Sequence, residues 1–184
     1  MKTALLLIDI QNDYFPGGRF ELSGANEAAK AAGLLLADFR ERKLPVIHVQ
    51  HISNRQGATF FLPGTDGVNI HESVGPLEME TVIQKNFPNS FRETELRNIL
   101  EKHGIKRIAI SGMMSHMCVN STTRAAFDFG YHCVVAHDGC ATRSLAFEGR
   151  ELPADYVHAV SMAGLEGVYA DVTKVEQVID NLFG

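Results

Sequence analysis

Apolar residues follow two alternating rhythms along this chain. Residues 4–8 are continuously apolar, as a strand buried on both faces of a parallel sheet requires, and the run stops at Asp9. Residues 26–43 carry Ala28, Ala29, Ala32, Leu35, Leu36 and Phe39 at helical spacing and end before Pro45. A second strand is predicted at 46–50 and a short third one at 81–85, ending on Lys85. The helix predicted over 93–103 has Leu96, Ile99 and Leu100 on one face and Gly104 as its stop. A fourth apolar run, 108–110, leads through Ser111 and Gly112 into a helix-like stretch that closes at Gly130. Residues 131–137 read as a fifth strand, 153–165 as a helix, 168–172 as a last strand and 174–183 as a closing helix. Strands that alternate with helices and are nearly all apolar predict an α/β class fold, three layers deep, around a parallel sheet.

At 184 residues and 45% hydrophobic, the chain has enough material for one domain over 1–184. Seventeen Lys+Arg against 22 Asp+Glu, with no basic block, exclude a nucleic-acid surface and an anionic-membrane surface. Three cysteines, an odd number in a chain too large to need disulfide staples, fit a reducing, cytoplasmic setting. The opening apolar run is broken by Asp9 and no small-residue cleavage site follows, so it reads as a strand and not as a signal peptide. No apolar run approaches membrane-spanning length.

Periodicity fades between 51 and 80, where Gly, Pro, Asn, Ser and His dominate. Excursions of this length cover a site or mediate contacts. His48, His51 and His71 match no common zinc spacing, so they read as surface or loop histidines and no metal or other cofactor is expected.

In a parallel sheet, the ligand crevice opens beyond the C-terminal strand ends where strand order reverses. Three chemically able residues sit at such ends: Asp9, Lys85 and Cys118. Cys118 falls in or near the first turn after the fourth strand, where unpaired N–H groups and a positive helix end favour a thiolate. A lone cysteine is more often a small buried hydrophobe, and a carboxylate after a strand more often caps the next loop. Taken together, Cys118 can attack a carbonyl carbon, Asp9 can move the proton, and Lys85 can hold the carboxylate and lower the thiol pKa. Cys133 reads as inert core within a strand and Cys140 as a loop thiol.

Three ordered blocks then resemble the isochorismatase-like cysteine hydrolases. They are DIQNDYF at 9–15 with Pro16, Gly17, Gly18, Gly24 and Ala25; Lys85 with Phe91, Thr94 and Leu96; and SGMMSHMCV at 111–119 with Thr122, Ala125, Gly130, Tyr131 and Asp138. The likeness runs from Leu5 to about Thr142. It implies a six-stranded parallel sheet in the order 3-2-1-4-5-6 and an Asp-Lys-Cys triad on Asp9, Lys85 and Cys118. It also implies a cis peptide at Met113–Met114, with the Met114 and Cys118 N–H groups facing the oxyanion. Gln11, Phe15, Phe87 and Met113 are the expected pocket walls, and a homodimer or homotetramer the expected assembly. Nicotinamidases of this kind carry an Asp-x-His metal motif after the second strand; HVQHIS at 48–53 lacks it. Isochorismatases cleave a vinyl ether without needing a cysteine, so the presence of Cys118 leans toward an amide or carbamoyl C–N bond and a thioester. Vinyl-ether hydrolysis, or a non-catalytic member that binds a metabolite or partner, are the alternatives.

Overall fold

The computed structural model describes residues 1–183. Five strands come first: β1 Thr3–Ile8, β2 Val46–His51, β3 Thr81–Lys85, β4 Arg107–Met113 and β5 His132–Ala141. They alternate with α1 Ala25–Glu41, α2 Leu96–Lys102 and α3 Asn120–Asp128, the last entered through a π-helical turn, Ser115–Val119. A small hairpin, β6 Leu145–Phe147 and β7 Arg150–Leu152, precedes α4 Ala154–Ala163, β8 Asp171–Thr173 and α5 Val175–Phe183. The main sheet has six strands, all parallel, in the order β3-β2-β1-β4-β5-β8. This is the expected 3-2-1-4-5-6 order, with the hairpin interposed before the sixth sheet strand. Among the described residues no helix is long and apolar enough to cross a membrane.

Two-residue alternation along β1 builds both core layers. Leu5 and Leu7 pack toward α1 and α5 with Leu35, Leu36 and Phe39, whereas Ala4, Leu6 and Ile8 pack toward α2, α3 and α4. Every β1 side chain is buried, and each fully buried Leu or Ile contributes roughly 1.5–3 kcal/mol. Strand order reverses between β1 and its neighbour β4: the chain adds β2 and β3 on one side by way of α1 on one face, and β5 on the other by way of α3 on the opposite face. The crevice therefore opens between those two strands. Gly112 pairs with Ile8 in the register, at φ 149°, and a Cβ there would lie 2.2 Å from the Ile8 carbonyl oxygen. Glycine is what lets the two backbones approach at the mouth of the crevice.

The 51–80 excursion contains two short 3-10 turns, Asp66–Val68 and Glu72–Val74. An ion cluster pins its far end. Arg40 of α1 donates from Nε to Glu80 Oε1 at 2.7 Å and from Nη2 to Oε2 at 2.7 Å. His48 of β2 donates from Nε2 to the same carboxylate at 2.9 Å. Burial works against the Glu80 charge, but Arg40, the Leu77 N–H and His48 outweigh it and hold the carboxyl down to about 2. A depressed carboxyl stabilises the fold above its ordinary value and loses that contribution as pH falls. Glu80→Gln is expected to cost about 2–3 kcal/mol near neutrality, with the gap to wild type closing as the pH drops toward about 2. Urea denaturation at a series of pH values measures this; a gap that stays constant with pH would contradict it.

Candidate active site

Four side chains meet where β1, β2, β3 and the turn after β4 end. Asp9 follows β1 directly, with φ 52°, and its N–H donates to the Val49 carbonyl at 2.9 Å. Lys85 is the last residue of β3, and His51, its register partner, is the last of β2. Cys118 lies in the π-helical turn. That turn is moored to the end of β5: Ser115 Oγ donates to the Ala141 carbonyl at 3.2 Å, and His116 Nδ1 meets Thr142 Oγ1 at 2.6 Å. The Met113–Met114 peptide leading into it is cis.

Lys85 is sealed, yet its ammonium is satisfied three ways. Nζ donates to Asp9 Oδ2 at 2.7 Å, to His51 Nδ1 at 3.0 Å and to the Phe87 carbonyl at 3.0 Å. Burial alone would lower the Lys85 pKa, but the Asp9 carboxylate outweighs it and the group sits above its ordinary value. The other Asp9 oxygen, Oδ1, is buried with no hydrogen-bond partner among the described residues. A carboxylate oxygen, a His51 nitrogen and Cys118 Sγ all lie within 4.8 Å of one another. One carboxylate oxygen is thus locked to an ammonium, while the carboxylate as a whole stands beside a thiol.

Burial, then the Asp9 charge, push the Cys118 thiol well above its ordinary value, and Lys85 offsets only part of that. The position does not favour a thiolate, contrary to the sequence expectation. Helix-end N–H groups act weakly compared with the loss of water around a sulfur that is 4% exposed. The resting sulfur is a thiol, and the Asp9 carboxylate beside it is a group able to take its proton. Cys133 and Cys140 are likewise pushed up, each to about 12, by burial. Cys140 is a strand residue and not a loop thiol, because β5 bulges opposite β4 and continues to Ala141.

The histidines divide against expectation: His71 is a loop residue, as expected, stacked on Phe15 with ring centroids 3.6 Å apart, whereas His48 is buried in β2 against Glu80. His51 belongs to the site, and burial holds it down to about 4. Asp9, His51 and Cys118 are a donor set of the kind that binds a soft divalent cation. The Lys85 ammonium, already bonded to Asp9 and His51, opposes a second positive charge at that spot.

A cavity of about 330 Å³ opens onto Cys118. Tyr14, Phe60, Phe61, Phe87 and Met117 form its apolar walls, with Met114 at the base of the turn. Of the four expected wall residues, Phe87 lines it and Gln11, Phe15 and Met113 do not. The Gln11 amide is consumed as a bridge. Nε2 donates to the carbonyls of His51 at 2.9 Å and Val68 at 2.7 Å, and Oε1 accepts from the His51 N–H at 2.7 Å. Gln11 therefore fixes the backbone that carries His51. Phe15 is turned away onto His71, and Met113 is a β4 residue packed in the core. A larger groove of about 710 Å³ lies beside Arg40 and Glu80, away from the thiol.

Three comparisons bear on this site. The isochorismatase domain model matches residues 3–177. The isochorismatase family protein YddQ of Bacillus subtilis is 52% identical over 176 residues, covering 96% of this chain and 98% of its own. A streptothricin hydrolase of Streptomyces noursei is 33% identical over 76% of this chain and 49% of its own. The crystal structure of a protein classed as an isochorismatase hydrolase, from Oleispira antarctica, superposes with a TM-score of 0.94 at 48% identity. That alignment covers 97% of this chain and 96% of the other.

Proposed function

Because the chain belongs to the isochorismatase domain family, whose members include hydrolases, we propose that it hydrolyses a small amide or carbamoyl C–N bond through Cys118. The observation that carries this reading is the divided Asp9 carboxylate. Oδ2 is held by Lys85 at 2.7 Å, and Oδ1 is buried without a partner, in a group that stands within 4.8 Å of the thiol. A buried, unsatisfied carboxylate oxygen costs free energy, and a proton from the adjacent Cys118 repays it.

In the proposed cycle, Asp9 takes the thiol proton as Cys118 Sγ bonds to the substrate carbonyl carbon. The carbonyl oxygen becomes an oxyanion, facing the Met114 and Cys118 N–H groups. Collapse breaks the C–N bond, and Asp9 returns its proton to the departing nitrogen. A thioester remains. Water, giving a proton to Asp9, then adds to the thioester carbonyl; the C–S bond breaks, the acid leaves and the proton returns to sulfur. Lys85 keeps its charge throughout and holds Asp9 in place. A related streptothricin hydrolase supports hydrolytic chemistry of this general kind.

Acid quenching during turnover of a panel of primary amides and N-carbamoyl acids tests the route. The Cys118 peptide is expected to gain the mass of the acyl group less one hydrogen, and hydroxylamine should remove that mass as a hydroxamate. Substrate consumption by protein whose Cys118 has been blocked by alkylation would sink the thioester reading. If isochorismate alone is consumed under that condition, the chemistry is vinyl-ether cleavage instead.

A further inference from the structure

We propose that the cavity selects a substrate carrying a carboxylate, gripped by the Arg55 guanidinium and the Nε2–H of His51. The cysteine-hydrolase reading supplies the scissile bond in this proposal; the charge preference comes from the cavity itself. Arg55 is the lining residue with a fixed charge, and no Asp or Glu lines the space. Asp9 beneath it is already neutralised by Lys85 at 2.7 Å.

Arg55 has no ion pair or side-chain hydrogen bond among the described residues, yet its charge reaches His51. Arg92, which does not line the space, differs: its guanidinium lies 3.6 Å from the Phe87 ring centroid and pairs with Glu93 at 3.6 Å. An arginine fork left without an acceptor at the mouth of an apolar cavity matches a planar carboxylate.

His51 supplies the second donor. The Lys85 ammonium has no lone pair, so the bond of 3.0 Å between Nζ and His51 Nδ1 makes Nδ1 the acceptor. The neutral imidazole, favoured by burial, must then carry its proton on Nε2. That N–H has no protein partner among the described residues, and His51 lines the cavity. The other polar lining residues, Tyr14, Ser53, Asn54 and Asn86, offer only uncharged oxygens, weaker acceptors than a carboxylate, and the remaining walls are apolar. A carboxylate on the substrate satisfies both donors, and the apolar surroundings strengthen the contact.

Alkylation of Cys118 measures the preference without any turnover. Iodoacetate and iodoacetamide both form an S–C bond and expel iodide, differing in charge. Their rate ratio at the Cys118 peptide, normalised to free cysteine under the same conditions, should favour iodoacetate about tenfold, between an exposed ion pair and a buried charged hydrogen bond. Arg55→Met should bring the ratio to within about twofold of free cysteine, and Arg55→Lys, which keeps the charge but loses the fork, should fall between the two. Protection by succinamate should exceed that by 4-oxopentanamide, its neutral isostere, by a similar factor. A normalised ratio at or below unity in wild type overturns the proposal. So does a ratio unaltered by Arg55→Met, or a Cys118 that neither reagent reaches. Failure of the hydrolase reading shows separately, as turnover that persists without the thiol.

Discussion

Cys118→Ala is expected to lower kcat for the proposed amide or carbamoyl substrate by about 10⁴–10⁶-fold, the scale on which removal of a covalent nucleophile or its base acts. The fold should survive. The lost atom is one sulfur beside a cavity, so the thermal midpoint should stay within about 2–4 °C of wild type, the scale of a 1 kcal/mol change in a chain of this length. Steady-state assays on substrate identified by screening, with thermal melts of both proteins, check the two halves together. Retention of more than about a tenth of wild-type turnover would remove sulfur from the mechanism. Cys118→Ser is a harsher test of the base than of the nucleophile. An alcohol is a far weaker acid than a thiol, and Asp9 would have to carry more of the proton transfer.

Lys85→Met is expected to be the most destabilising single change at the site, by about 3–5 kcal/mol. It strands the Asp9 carboxylate, whose exposure is nil, and removes the donor from His51 Nδ1 and the Phe87 carbonyl. Activity should fall with it, because Asp9 loses the bond that holds it. Pairing the change with Asp9→Asn should restore part of the stability while leaving turnover absent, since a neutral amide needs no ammonium. The comparison belongs near neutral pH. A lysine whose pKa is raised in the fold contributes fully below its ordinary 10.5, and that contribution fades as pH climbs through the folded value. Equal urea midpoints for wild type and Lys85→Met would mean that the ion pair is not formed in solution.

Much of this architecture was legible from hydrophobic rhythm. The residues of β3 and the core of β1 were predicted to the residue or nearly so, because an apolar run ended by a polar break has few other readings. Asp9, Lys85 and Cys118 were visible as chemistry at strand ends, and a family resemblance joined them. The register that seats Lys85 opposite His51 was not visible, since pairing between β2 and β3 depends on a fold that spans the excursion. His51 nonetheless carried a signal: it ends a strand adjacent to β1, on the same edge as Asp9. Pocket walls from residues 53–61 were hidden because loop side chains follow no period. The hairpin β6–β7 escaped for a different reason. Its three-residue strands are mostly exposed and held by a tight turn at Glu148 and Gly149, both at positive φ, with little alternation to read. The last sheet strand began three residues later than its apolar run, because Val168 is exposed and Glu166 bridges to Ala170 ahead of β8.

The main chain turns left-handed at Asp9, at φ 52°. Only glycine and the short polar side chains of asparagine and aspartate enter that region readily. Anyone retooling this protein with a longer or bulkier base in that place would be working against the backbone as well as the chemistry. The practical freedom for redesign lies across the hollow, at Phe60, Phe87, Met117 and Arg55, where side chains can be exchanged without asking the polypeptide to bend differently; Phe61, at φ 55°, shares the restriction on Asp9.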